Sequence, residues 1–173
     1  MAAATGWMPK PATSSGPADG KRTDQKFMMK PLPHVYSASA FGTPDTHLVS
    51  TLENGCTLEV APPRNFDGPG DTWTPEEMLL ASVANCLALT FKAIAKAGRL
   101  EWQEIHCHSE GVLDKVEHRV KFSRIETTAR LVITSEADRN KAEQLLEKTE
   151  ANCFVSNTLE CVKQFHFEIT TLD

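Results

Sequence analysis

The segment from Thr74 to Gly98 constrains what this chain can fold into more than any other. Thr74 is a good helix N-cap, Pro75 suits the first helical position, and Glu77 stands where a capping box needs it. Downstream, Met78, Leu79, Leu80, Val83, Leu87, Leu89, Phe91 and Ile94 set apolar side chains nearly all round the helix, with Gly98 as the expected C-cap. Such a pattern predicts a central helix buried on most sides. Other elements must cover it.

Alternating stretches supply that cover. Residues 34–41 and 47–52 read as strands, and Asn54-Gly55 makes a tight turn into a third strand over 56–60. In it Cys56, Leu58 and Val60 share a face, which makes Cys56 a core residue. Beyond the helix, Ile105, Cys107 and Ser109 alternate with His106, His108 and Glu110 until Gly111 interrupts. Ile125, Thr127, Ala129, Leu131 and Ile133 then line one face of another strand. Ser135 opens a polar surface helix to Ala151, and a final strand turns Phe165, Phe167 and Ile169 inward. The class is α+β, with one domain over 34–173. Residues 1–33, rich in Ala, Ser, Gly and Pro, are expected to be a disordered leader, or a weak organelle-targeting segment.

Composition narrows the function classes. A net charge of −5 without basic clusters leaves no positive face for nucleic acid. Asn85 and Lys92 interrupt the apolar helix, so no membrane-spanning run is expected. The N-terminus lacks the charged region and apolar core of a secretory signal, so a cytoplasmic location is expected. Five cysteines cannot all pair within one chain. In a reducing compartment their default is a free thiol, and a disulfide there is more often transient than structural.

Two cysteines stand out. Ala84-Asn85-Cys86 lies in the apolar helix, and the matching Ala151-Asn152-Cys153 follows the charged one. The sequence thus predicts a buried thiol and a more mobile one, as a two-cysteine redox centre needs. The plain alternative is that Cys86 is core, as buried free cysteines usually are. Lowering a thiol from its usual pKa of about 8.5 to about 6 takes roughly 3 kcal/mol of stabilisation of the thiolate. The helix N-terminus is too far away to help, roughly 16 Å along the axis. Arg64, in the Pro- and Gly-rich loop over 61–73, is the nearby basic candidate on that side. Glu76, free because Glu77 takes the capping role, is either a favourable helix-start charge or an orienting partner for Arg64. His106 and His108 share a face but match no zinc spacing. Cys107 points away from both, and Cys161 is expected to pack.

Thr74-Pro-Glu-Glu-Met-Leu-Leu-Ala-Ser-Val-Ala-Asn-Cys86 resembles the signature of the OsmC/Ohr family of cysteine-based hydroperoxide reductases, a Pro-Glu followed ten residues later by a reactive cysteine. Glu150-Ala-Asn-Cys153-Phe-Val-Ser156 is similar to the family's second motif. The resemblance spans roughly residues 34–171. Where classical members have Asn before the Pro-Glu, this chain has Thr74, which places it nearer the OsmC-like branch. The resemblance implies antiparallel sheets around the central helix in an intertwined homodimer. It also implies that Cys86 is the peroxidatic thiol, Cys153 the resolving thiol, and Arg64 and Glu76 their supporting pair. No bound cofactor or metal is implied; an external dithiol, often lipoyl-type, would act as reductant for an organic hydroperoxide substrate. Because Glu76 and Cys86 are ~15 Å apart along one helix, Arg64 and Glu76 are expected to act across the dimer interface. The rival expectation is a non-catalytic module of the same fold that binds an apolar ligand at that interface. A metal-binding protein is a third.

Overall fold

The computed structural model describes residues 30–172, so the expected leader lies almost wholly outside the described residues. Three short strands come first: β1 (Ala38–Phe41), β2 (Leu48–Leu52) and β3 (Thr57–Val60), paired antiparallel in the order β1-β2-β3. Cys56 falls just outside β3 and is exposed, which corrects its assignment to the core. The reason is local: its N–H bonds the Asn54 side chain at 3.0 Å, holding Cys56 in the turn. The inward side of β3 begins only at Leu58. This first sheet is largely exposed, with Phe41, Leu48 and Leu52 open to solvent. Its main tether is at the end of β3, where Ala61 N–H donates to the Trp73 carbonyl at 2.9 Å.

Helix α1 (Pro75–Gly98) runs unbroken for 24 residues. Thr74 caps it as expected: its hydroxyl accepts from Glu77 N–H at 3.2 Å, and the Glu77 carboxylate accepts from Thr74 N–H at 3.1 Å. The C-terminal end differs from expectation. Arg99, not Gly98, adopts the left-handed conformation, at φ 52°. At Gly98 an added Cβ would stand 2.9 Å from the Leu145 side chain, which would have to shift. Buried residues form one stripe on α1, Val83, Leu87, Phe91 and Ala95, while Leu89 is 66% exposed. Within one chain, then, the helix is buried along one side rather than most sides, because the first sheet packs little against it. By length and composition α1 is also apolar enough to cross a membrane, with a mean hydropathy of 1.7. That corrects the expectation of no such run; Asn85 and Lys92 dilute its apolar content too little.

The second sheet is built on a long hairpin. Strand β4 (Trp102–Val116) pairs antiparallel with β5 (Arg119–Ile133) through a two-residue turn at Glu117 and His118, both at positive φ. Gly111 does not end β4: the strand passes through it, because Phe122 and Leu80 crowd the space a Cβ would fill, at 2.7 and 2.8 Å. After β5 the chain crosses over through α2 (Arg139–Ala151) and α3 (Phe154–Asn157) and returns as β6 (Val162–Thr171). That crossover makes β6 parallel to β5, so this sheet is mixed and not wholly antiparallel. Ile125, Thr127, Ala129, Leu131 and Ile133 are buried as the alternation predicts. Phe91, Ala95, Leu131, Ile133, Ala142 and Leu146 form the main core, where α1 and α2 lie on the sheet.

Candidate functional site

A second, smaller core lies one helical turn before the first. Leu87 from α1, Ala129 from β5 and Cys153, just ahead of α3, are buried together, and Cys86, Ile105, Cys107, Phe165 and Phe167 pack against them. Three of the five cysteines therefore meet at one place. Cys86 and Cys153, singled out as a pair by sequence, are brought together.

Local structure fixes Cys153 firmly. Its N–H donates to the Glu150 carbonyl at 3.2 Å as α2 ends, and its carbonyl accepts from Asn157 N–H at 3.0 Å as α3 forms. The Ser156 hydroxyl also donates to that carbonyl at 3.0 Å. Lys163 of β6 clamps the far end of α3, donating to the carbonyls of Ser156 and Leu159 at 2.9 and 2.7 Å. The expectation of a buried Cys86 and a mobile Cys153 is thus reversed. Cys153 is 0% exposed, while Cys86 is only partly buried. The cause is that α2 ends against α1 instead of projecting into solvent, so the bend after it is pressed into the core.

The electrostatics follow from burial. Desolvation pushes the Cys153 thiol above the ordinary range; the Ser156 hydroxyl and N–H facing its sulfur oppose the rise, and the hydrogen bond and charge of Cys86 add to it. Burial and the neighbouring Cys86 thus both act against a thiolate at Cys153, which packs in the same cluster as the Cys86 sulfur. The Thr90 hydroxyl, one turn on, lies 4.0 Å from that same sulfur. Cys107 is pushed up to about 11 by burial and, secondarily, by the charge of Cys153.

The other two predicted residues sit elsewhere. Arg64 is exposed, in a 3-10 turn over Arg64–Phe66, with its side chain laid over Gly70. Among the described residues it forms no ion pair with Glu76. Glu76 stands in the first turn of α1, at the rim of a pocket of about 280 Å³ shared with Leu48, Val60 and Phe66. One oxygen of its carboxylate is buried with no hydrogen-bond partner among the described residues. Within a single chain, then, no pairing of Arg64 with Glu76 forms beside Cys86.

His106 and His108 are exposed on β4 while Cys107 faces inward, as the alternation requires. Among the described residues no group of three His, Cys, Asp or Glu side chains is arranged to hold a metal. Sequence reasoning missed Cys107, Thr90 and Ser156 as neighbours of the thiol pair. Inward alternation marked Cys107 as buried, but nothing local says which stretch of α1 crosses β4 at that point.

These features define an α+β domain carrying a thiol pair where a long helix meets a mixed sheet. Residues 68–168 match the family described as OsmC-like protein, and the chain belongs to that family. The Bacillus subtilis protein YmaD, itself uncharacterised, is 28% identical over 116 residues, which cover 65% of this chain and 77% of YmaD. Among solved structures, an OsmC-like protein of unknown function from Vibrio cholerae matches with a TM-score of 0.70 at 18% identity, covering 80% of this chain and 100% of that one. An organic hydroperoxide resistance protein from Elizabethkingia anophelis, solved with thiocyanate bound, matches with a TM-score of 0.66 at 20% identity, over 83% and 100% of the two chains.

Proposed function

We propose that this protein is a thiol-dependent peroxidase that reduces organic hydroperoxides in oxidative-stress defence. The observation that carries the reading is the packing of a partly exposed Cys86 against the cluster that holds a buried Cys153, whose thiol burial keeps above its ordinary range. The Cys86 thiolate attacks the outer peroxide oxygen; the O–O bond breaks, an alcohol leaves, and Cys86 becomes a sulfenic acid. Cys153 then attacks that sulfur, water leaves, and a Cys86–Cys153 disulfide remains. An external dithiol, of lipoyl type, restores both thiols. The apolar walls of the site, Phe165 and Phe167 among them, favour an organic peroxide over hydrogen peroxide.

The working form in this reading is a homodimer, in which Arg64 and Glu76 of one subunit serve Cys86 of the other. Three features support it. The orphaned Glu76 oxygen needs a partner that the described residues of its own chain do not supply. Only 22% of the most apolar stretch of α1 is buried within one chain. The first sheet, small and open, leaves Phe41 and Leu52 uncovered by the described residues. The Arg64 guanidinium then supplies the charge that favours thiolate at Cys86 and stabilises the leaving oxygen. Five free thiols suit a reducing compartment, and a cytoplasmic location goes with the proposal.

The deciding experiment treats the reduced protein with one equivalent of an organic hydroperoxide and maps its peptides without reductant. A Cys86–Cys153 link supports the peroxidase. Two unmodified thiols overturn it and leave a module of the same fold that binds an apolar ligand.

A further inference from the structure

We propose that Cys107 is a third exchange-active thiol, which moves the disulfide from Cys86–Cys153 to Cys107–Cys153 and presents it to an external reductant. The proposal rests on the peroxidase reading for its first disulfide. Three observations lead to it. Cys107 packs against the same cluster of Leu87, Ala129 and Cys153 as Cys86 does. It is held on that side by pairing with Ala129 across the β4–β5 hairpin, which gives the two residues a common face. And Cys107 also lines an open pocket of about 370 Å³, between Trp73, the Glu77–Asn85 side of α1, and β4. Neither Cys86 nor Cys153 lines that pocket. Cys107 is thus a second thiol, besides Cys86, that reaches both the Cys153 cluster and open space.

Burial makes such a step useful, because it opens a second route to the disulfide besides the partly buried Cys86 sulfur. Cys153 has no exposed surface, so a reductant cannot approach its sulfur directly. Cys107 loses its proton to water in the pocket, and its thiolate attacks the Cys153 sulfur. The Cys86–Cys153 bond breaks and its electron pair leaves on Cys86 as thiolate, ready for the next peroxide. The new Cys107–Cys153 bond then opens from the pocket side. One thiolate of an external dithiol attacks the Cys107 sulfur, Cys153 leaves and takes a proton, and the second thiol of the dithiol releases Cys107. Within the chain one disulfide replaces another, and the two electrons come from the dithiol. Part of what keeps Cys107 protonated is the charge on Cys153, and that part disappears once Cys153 is in a disulfide.

The test uses the full chain with Cys86→Ser, which has no peroxidatic thiol and is independent of peroxidase activity. Oxidation with diamide, acid quenching and peptide mapping should give a Cys107–Cys153 link in most molecules. Complete alkylation of both thiols would overturn the relay. In a second arm, the diamide-oxidised Cys107→Ser and Cys107→Ala proteins should be reduced by dihydrolipoamide about tenfold more slowly than the oxidised wild type. Equal rates in both variants would also overturn it. A Cys107→Ser protein that still forms Cys86–Cys153 with peroxide upholds the peroxidase reading whatever the relay does.

Discussion

Cys153 is wholly enclosed, and Cys86, packed against the cluster that holds it, is itself only partly buried. In the proposed peroxidase reaction that asymmetry assigns the order of events, because the more accessible member is the one to meet a peroxide first. Cys86→Ser should therefore lower dithiol-dependent peroxide consumption by at least about a hundredfold. Cys153→Ser should behave differently. It should still consume about one equivalent of peroxide and yield a sulfenic acid at Cys86 that dimedone traps, while sustained turnover is lost. Mass spectrometry of the trapped adduct separates the two. A dimedone adduct on residue 153 of the wild type would reverse the assignment.

Burial of Cys107 predicts a stability change at alkaline pH. Its pKa is raised from 9.0 to about 11, so between those values the folded chain binds more protons than the unfolded one. The stabilisation is therefore complete below about pH 8.5 and is lost as pH rises through 9 to 11, to a limit of roughly 2 to 3 kcal/mol. The rise at Cys153 adds to it with the same sign. Urea midpoints of the wild type should fall more steeply between pH 8 and pH 10.5 than those of Cys107→Ala. Parallel curves would contradict the prediction.

The helix cap gives a test of the scaffold alone. Thr74 is 4% exposed and makes both bonds of the capping box with Glu77. Thr74→Ala removes the hydroxyl acceptor for Glu77 N–H and should cost about 1 kcal/mol, read as a lower urea midpoint with an unchanged slope. An unaltered midpoint would mean that the first turn of α1 is held by other contacts.

Much of this architecture was legible because it is locally encoded. The capping box, the inward run Ile125 to Ile133 and the alternation around Cys107 each depend on neighbours a few residues away. What failed depended on distant neighbours. The turn at Glu117-His118 carries no glycine or asparagine, so the hairpin gives no signal in the sequence. Gly111 looked like a break because a missing side chain reads locally as a weak strand, whereas its cause is the approach of Leu80 and Phe122. The exposure of Cys86 and Cys153 was inverted for the same reason. Cys86 sits in an apolar stretch, yet half of that stretch faces away from the core, and the polar α2 delivers Cys153 into the interior. The parallel return of β6 follows from a crossover whose direction periodicity cannot show.

The placing of Arg64 and Glu76 away from the thiol pair leads to the most discriminating prediction. Glu76 stands in the first turn of α1 and Cys86 lies ~15 Å further along the same unbroken helix, so neither residue can swing to meet the other. If the supporting pair acts across an interface, Cys86→Ser and Arg64→Ala should each be inactive as homodimers. Co-expressed with different tags and purified through both, they form a heterodimer in which one site draws its cysteine from one subunit and its arginine from the other. That species should recover about half of the wild-type activity, because one of its two sites is complete. Sedimentation should show a dimer at the assay concentration. A heterodimer as inactive as its parents would place Arg64 in the same subunit as the cysteine it serves, and a fully active monomer would remove the interface from the mechanism altogether.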